Sequence, residues 1–474
     1  MQRALLVWAV LGLLAGWAWC EPGGVAPRSS QPEGWSISSD SGARVYTLGE
    51  SLEIGLRQNP QMRVATEAVV QAVAQYEQAR SAKNPSLVFS DATTIQRPRI
   101  IDTSGFFRTI RAPHGFPTEF DVLDPVSSQI SMALDWLLTS FGNVENQIAA
   151  ALIQTEVETL NVETEAVALR FQIKQAFLQR LQADSSVAVA EENLVVSRQS
   201  LSDTDNLFQQ GLQARYDVVQ AELQVQQAQQ QLEQARTSVG TSTASFLTLL
   251  NEPGRGPVQL VAPPPITIDA SLTLEDLEEL ALASRPEVRS MERSIAAAGK
   301  ILDAARSSSM PTVSLRLGYD TSMGNALRPA DQYGLTFQFS WPLFDGGLSE
   351  AKSKQAESQI RSLEASDENQ RLQIRLQVDQ AWLQLLLTGS NLATAAKQVE
   401  TAEVYYAMAT QRYKVGLTTT LEVQQAVSSL NEARQNLVVT NYQRDLAFAA
   451  LEQSLGRDFP DRVLSLTEHK GDQG

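Results

Sequence analysis

The sequence predicts an α+β membrane protein built from two internal repeats. Each repeat supplies two strands to a transmembrane β-barrel shared between several chains, and one long helical hairpin to an α-helical barrel that continues it. Three observations carry this prediction. The chain is duplicated, four short segments alternate apolar and polar residues, and the stretches Asn143 to Gln210 and Leu348 to Val415 contain a single helix breaker between them, Gly389.

The duplication is clearest at the start of each copy. "TLGESLEIGLRQNPQMRVA" from Thr47 aligns with "TLEDLEELALASRPEVRSM" from Thr273, and Pro60 and Pro85 fall on Pro286 and Pro311 at the same offset of 226. Further along, Trp136 aligns with Trp341, Gly211 with Gly416, and Val218-Val219-Gln220-Ala221 with Val423-Gln424-Gln425-Ala426, all at an offset of 205. The difference of 21 residues is an insertion in the first copy between Pro85 and Trp136. Its "QRPRIIDTSGFFRTIRAPHGFPTEF" has the Pro, the Gly and the lack of period that mark a loop, expected outside the cell.

The predicted organisation is a signal peptide at 1–20, a flexible segment at 21–46, a first repeat at 47–250, a Pro-rich linker at 251–272, a second repeat at 273–456 and a flexible tail at 457–474. The opening "MQRALLVWAVLGLLAGWAWCEP" has one basic residue, Arg3, an apolar run and small residues near its end, the pattern of a secretory signal cut after Ala18 or Cys20. Cys20, the only cysteine, stands where a lipoprotein carries its acylated residue, but Trp19 before it is bulkier than such processing prefers. Without a second cysteine there is no disulfide framework. Beyond the signal no apolar run is long enough to cross a bilayer as a helix.

Within each repeat a short helix begins at the Thr-Leu pair, and Pro60 or Pro286 at a first helical position starts a second helix of about two dozen residues. Two strands follow. "PTVSLRLGYD", "YGLTFQFSW" and "SQISMALDW" alternate cleanly, whereas "SLVFSDATT" alternates poorly and is assigned from its repeat partner. At 1.5 Å per residue each long stretch makes a helix roughly 100 Å long. Gly211 and Gly416 suit the position just past a helix end, and Thr419 with Glu422 reads as a capping box that opens the return helix. The return helices run to about Leu250 and Leu455, and "NEPGRGPVQLVAPPPITID" links the copies along the outside.

Four strands with one apolar face cannot close a barrel, and their edges cannot be left open to lipid, so several chains must share one. Trp136 and Trp341 end the second strand of each pair, where membrane-interface aromatics belong. The helices are rich in Ala, Gln and Ser with modest charge, which permits close packing and leaves an uncharged polar face for water. The formal charge of -16 disfavours a nucleic-acid partner. With two histidines far apart, His114 and His469, and one cysteine, the chain has no metal cluster, no cofactor pocket and no catalytic constellation, so an enzyme is not expected.

The duplicated starts (Leu52, Leu56, Asn59, Pro60; Leu277, Leu280, Leu282, Arg285, Pro286), the strand pairs and the twin Gly-Leu turns resemble the outer-membrane efflux protein family, the TolC-like channels, from about Thr47 to Leu455. The resemblance implies a homotrimer in outer-membrane lipid, extending into the periplasm, with a periplasmic adaptor protein and an inner-membrane transporter as partners. Such a protein is a passive exit duct for efflux or type I secretion. The alternatives from other classes are a coiled-coil structural stalk and a periplasmic scaffold without a pore.

The resemblance also implies sites. Gly211, Leu212, Gly416 and Leu417 would be the tips that dock the adaptor. A periplasmic gate would involve Asp217, Tyr413, Glu422 and Gln425, with Tyr413 matching a tyrosine that hydrogen-bonds an aspartate at the Asp217 position and Glu422 matching a constricting acidic residue. Thr418 stands where these channels have a linking arginine and Gln425 where they have a second aspartate, so a weaker lock and a weaker acidic ring are expected.

Overall fold

The computed structural model describes residues 44–95, 99–102, 119–123, 126–252, 258–268, 272–323, 331–459 and 462–464. The expected signal peptide with Cys20, most of the insertion with His114, and the end of the tail with His469 lie outside the described residues.

The first half opens with strand β1 (Arg44–Tyr46), then helices α1 (Leu48–Gln58) and α2 (Pro60–Ser81). Thr47 begins α1 with a capping box: its hydroxyl accepts the Glu50 N–H at 3.2 Å while Glu50 Oε2 accepts the Thr47 N–H at 3.0 Å. Strands β2 (Ser86–Ile95), β3 (Arg99–Asp102), β4 (Glu119–Leu123) and β5 (Val126–Thr139) follow, then helices α3 (Asn143–Gln209) and α4 (Arg215–Leu249). Short strands β6 (Val258–Leu260) and β7 (Thr267–Ile268) lie in the linker. The second half runs α5 (Leu274–Ser284), α6 (Pro286–Arg306), β8 (Thr312–Met323), β9 (Asp331–Ser340), α7 (Leu348–Lys414) and α8 (Thr420–Leu455), and β10 (Val463–Leu464) lies in the tail. Helices α3 and α7 are each 67 residues long, the absence of interior Pro letting the backbone ladder run unbroken.

Three segments depart from expectation. The insertion read as a plain loop carries an antiparallel pair, β3 with β4. The N-terminal segment read as flexible ends in β1, which pairs parallel with β6 of the linker, and the tail carries β10, which pairs parallel with β7. The reason is the same for all three. Such short pairings satisfy backbone N–H and C=O groups without an amphipathic face, so they leave no period in the sequence.

Four strands form one antiparallel sheet in the order β2-β5-β8-β9, so β5 and β8 join the two halves. The register lines up Leu87, Leu134, Leu317 and Leu335 in one row across the sheet, with Phe89, Met132, Tyr319 and Tyr333 in another on the same face. Asp135, Arg316 and Thr336 alternate with them on the opposite face, where Arg316 pairs with Asp135 at 3.7 Å. The weakly alternating β2 is therefore a strand whose Leu87 and Phe89 share the apolar face. All ten residues of β2 and of β9 are exposed. Among the described residues no helix is long and apolar enough to cross a membrane.

The two principal cores sit where the short helices meet the middle of the long ones. In the first, Tyr46, Leu169, Ile173, Phe177, Phe246 and Leu250 are buried together, and in the second Leu277, Ala281, Ile374, Val378, Phe448, Leu451 and Leu455. A buried ion cluster ties α3 to the end of α8: Lys174 Nζ lies 2.7 Å from Glu452 Oε2 and 2.5 Å from Asp458 Oδ1. Glu452 also accepts the Phe459 N–H at 2.7 Å, and burial raises its pKa above the ordinary carboxylate range.

Candidate functional site

Both long hairpins turn in the same way. Gly211 and Gly416 each have φ +75, a conformation that glycine adopts without steric cost. In the first tip the Gly211 and Leu212 N–H groups bond the Phe208 and Leu207 carbonyls, each at 2.9 Å. In the second, those of Gly416 and Leu417 bond Tyr413 at 3.0 Å and Arg412 at 2.9 Å. These paired bonds are a Schellman motif, which satisfies carbonyls left over at a helix end. Leu212 and Leu417 project into solvent, 67% and 70% exposed, each beside a glycine whose added Cβ would meet nothing within 4 Å. Two small-and-apolar points thus stand at the ends of the hairpins.

The side chains around the tips differ. At the first, Asp217 Oδ2 accepts the Ala214 N–H at 3.3 Å, a half-formed capping box because alanine has no acceptor to return. Phe208 lies under the guanidinium of Arg215 at 5.9 Å. At the second, Tyr413 occupies the place equivalent to Phe208 and is buried, its hydroxyl 3.3 Å from both Thr204 Oγ1 and Thr420 Oγ1. The expected hydrogen bond from Tyr413 to Asp217 is therefore not formed within this chain, because the tyrosine hydroxyl is engaged by threonines of α3 and α8. The expected Thr419–Glu422 capping box is likewise corrected, since the Thr419 side chain makes no cap bond. Glu422 instead accepts from the Thr418 hydroxyl and lies 3.2 Å from Arg412 Nη1. Thr418, where the family resemblance had placed a missing arginine, thus holds the acid itself. Gln425 is exposed on α8.

Residues that the sequence did not assign to the site tie the tips together. Thr204 is fully buried under Tyr413, Lys414 Nζ lies 3.7 Å from Asp203, and Gln220 Nε2 donates to Gln424 Oε1 at 2.7 Å. A tyrosine hydroxyl needs a polar partner once it is buried, but the sequence showed neither the burial of Tyr413 nor that partner. Nothing local in "SLSDTDNLF" said that Thr204 was it.

At the other end of the helices, Trp136 lies near the end of β5, and its Nε1 donates to the Lys83 carbonyl at 3.0 Å. Trp341 follows β9 directly rather than lying inside it, and both rings are exposed, at 41% and 55%.

The outer membrane efflux protein family matches residues 52–252 and 277–457, covering both hairpins and both strand pairs. The chain belongs to that family. It is an outer-membrane protein extending into the periplasm, and the family's general role is that of an efflux channel rather than an enzyme. It is 23% identical over 348 residues to the outer membrane efflux protein BepC of Brucella suis biovar 1 (strain 1330), an alignment covering 73% of this chain and 75% of BepC. It is 22% identical over 423 residues to nodulation protein T of Rhizobium leguminosarum bv. trifolii, covering 87% of this chain and 86% of that protein. The solved structure of CusC superposes with a TM-score of 0.73 at 18% identity, over 87% of this chain and 92% of CusC, a likeness of fold.

Proposed function

We propose that this protein is the exit duct of a tripartite efflux or type I secretion system, in which three copies pool twelve strands into one outer-membrane barrel and their helices form a periplasmic tunnel. The observation that carries this reading is the four-stranded sheet itself. It has an apolar face open to the surroundings and two edges, β2 and β9, unpaired among the described residues, which lipid does not tolerate and which copies of the same chain can close. Trp136 and Trp341 would then lie at the membrane interface. Leu212 and Leu417, beside Gly211 and Gly416, would dock a periplasmic adaptor that joins the duct to an inner-membrane transporter. Substrate choice would rest with that transporter.

Gating follows from the tip contacts. Splaying α7 and α8 away from α3 breaks Tyr413–Thr204 and Lys414–Asp203, while Asp217, Glu422 and Gln425 would face the constriction. A net hydrogen bond is worth about 1 kcal/mol, so three symmetry copies would hold the shut state by a few kcal/mol. The test is single-channel conductance in planar bilayers. Tyr413→Phe combined with Lys414→Ala should raise conductance several-fold with trimer yield unchanged. Parental conductance in that variant would place the gate elsewhere, and absence of any conducting trimer in the parent would sink the duct reading.

A further inference from the structure

Where α8 ends and α6 begins, the chain holds a buried cation that makes no ion pair among the described residues. Arg285 is 7% exposed, and its Nε donates to the Ser454 carbonyl at 2.7 Å. Among the described residues its two terminal amino groups have no hydrogen-bond or ion-pair partner. The other buried basic residues among those described, Lys174, Arg180 and Arg462, are each paired with an acid.

The first half shows why this is unusual. There Asn59 holds the equivalent place, donates Nδ2 to the Leu249 carbonyl at 2.8 Å, and accepts the Gln61 N–H at 2.8 Å to cap α2. Arg285 reproduces the first bond and cannot make the second, because a guanidinium has no acceptor. Helix α6 therefore starts without a side-chain cap, and its free first-turn N–H groups lie beside a positive charge. Asparagine would meet both structural needs better, and Glu287 in the first turn of α6 acts on the Arg285 charge without forming an ion pair with it, so the guanidinium keeps terminal donors for something it binds.

Arg285 and Glu287 line one cleft of about 850 Å³ bounded by α3, α6, α7 and α8, with Gln373, Gln377 and Gln380 on its wall. Glu287 Oε2 is buried without a hydrogen-bond partner. Burial lowers the pKa of Arg285, and the charge of Glu287 opposes that shift. A simple anion would answer Arg285 and be repelled by Glu287. An anion that also carries a proton donor answers both.

We infer that this cleft is a binding subsite for a small oxyanion bearing a hydrogen-bond donor, of which hydrogenphosphate is the simplest example. Its oxygens meet the Arg285 guanidinium and the first-turn N–H groups of α6, and its hydroxyl meets Glu287. The inference does not depend on the duct reading.

The test uses the full-length protein purified in detergent, titrated calorimetrically with inorganic phosphate and with sulfate at constant ionic strength. The parent should bind phosphate saturably and at least about tenfold more tightly than sulfate, which has no proton to offer Glu287. Arg285→Asn keeps the Ser454 bond and regains a cap, so it should fold and lose phosphate binding, while Glu287→Gln should bring the two anions level. Phosphate binding unchanged in Arg285→Asn overturns the site. Absence of saturable binding in the parent also overturns it, and loss of assembly in Arg285→Asn alongside that result would assign the guanidinium to a carboxylate of a neighbouring copy.

Discussion

Ile173 on α3 and Val378 on α7 hold equivalent places in the two halves, and what faces them compensates in volume. A Cβ added to Gly55 would lie 2.3 Å from Ile173 Cδ1, whereas the second half has Ala281 in the same core as Val378. Glycine with isoleucine fills about the room that alanine with valine fills, so both short helices approach their long helix closely. Phe246 and Leu451 form a second such pair. Phe246 packs edge-on against Tyr46 and Phe177, at 5.7 and 5.9 Å, while Leu451 shares its core with Phe448 and Phe459. The tips form a third, with Phe208 under Arg215 in one and Tyr413 against Thr420 in the other. The lesson is that the common backbone is held by summed volume and by a few turn positions, while individual side chains are free to differ if their neighbours answer.

The largest effect should come from emptying the cores. Phe246→Ala should cost about 3–5 kcal/mol and Leu451→Ala about 2–5 kcal/mol, because both side chains are fully buried. Thermal unfolding in detergent reads both, and a clearly larger loss at Leu451 would break the equivalence of the two cores.

Gly55→Ala should cost about 1–3 kcal/mol by overpacking against Ile173. Adding Ile173→Val should recover most of that loss by recreating the combination of the second half. If the double variant is no more stable than the single one, the compensation argued above does not operate.

The smallest effect concerns the starts of the long helices. Glu145 accepts from the Ser140 hydroxyl at 2.6 Å and pairs with Lys83 at 3.0 Å, and chiefly the Ser140 bond holds its pKa down at about 2. Among the described residues of the second half the equivalent Glu350 pairs only with the exposed Lys354, and Asp345 takes over, accepting the Ser349 and Gly347 N–H groups at 2.8 and 3.0 Å. Because the folded pKa of Glu145 lies below its ordinary 4.5, its stabilisation is present above pH 4.5 and is lost as pH falls toward about 2. With the side chain 38% exposed, the amount is discounted to below about 1 kcal/mol. The unfolding midpoint followed from pH 5 to pH 2 should fall less steeply in Glu145→Gln than in the parent. Identical slopes would remove Glu145 from the comparison.

Most of the fold was legible because it is local. Pro60 and Pro286 start helices, Gly211 and Gly416 end them, and alternation marks the strands, since each signal depends on the conformation of a few consecutive residues. The site was legible in part. The glycine turns and their exposed leucines lie where the sequence put them, but the partners of Tyr413 and Glu422 did not. Tyr413 bonds Thr204, 209 positions away. Glu422 is held by Thr418 and Arg412 in place of a capping threonine, a competition among nearby donors that only the turn's three-dimensional path resolves.

By itself the sequence determined the lengths of the helices, the faces of the three strands that alternate cleanly and the sharp reversals at the tips, because backbone sterics and amphipathic period act within a few residues. Only the tertiary structure decided that β5 pairs with β8 to join the halves, that β1 and β10 add to the linker strands, and that Arg285 reaches the Ser454 carbonyl without forming an ion pair. Those outcomes depend on which groups are brought together across a hundred or more residues. Volume and polarity are balanced there between distant partners, and no local pattern in the chain records that balance.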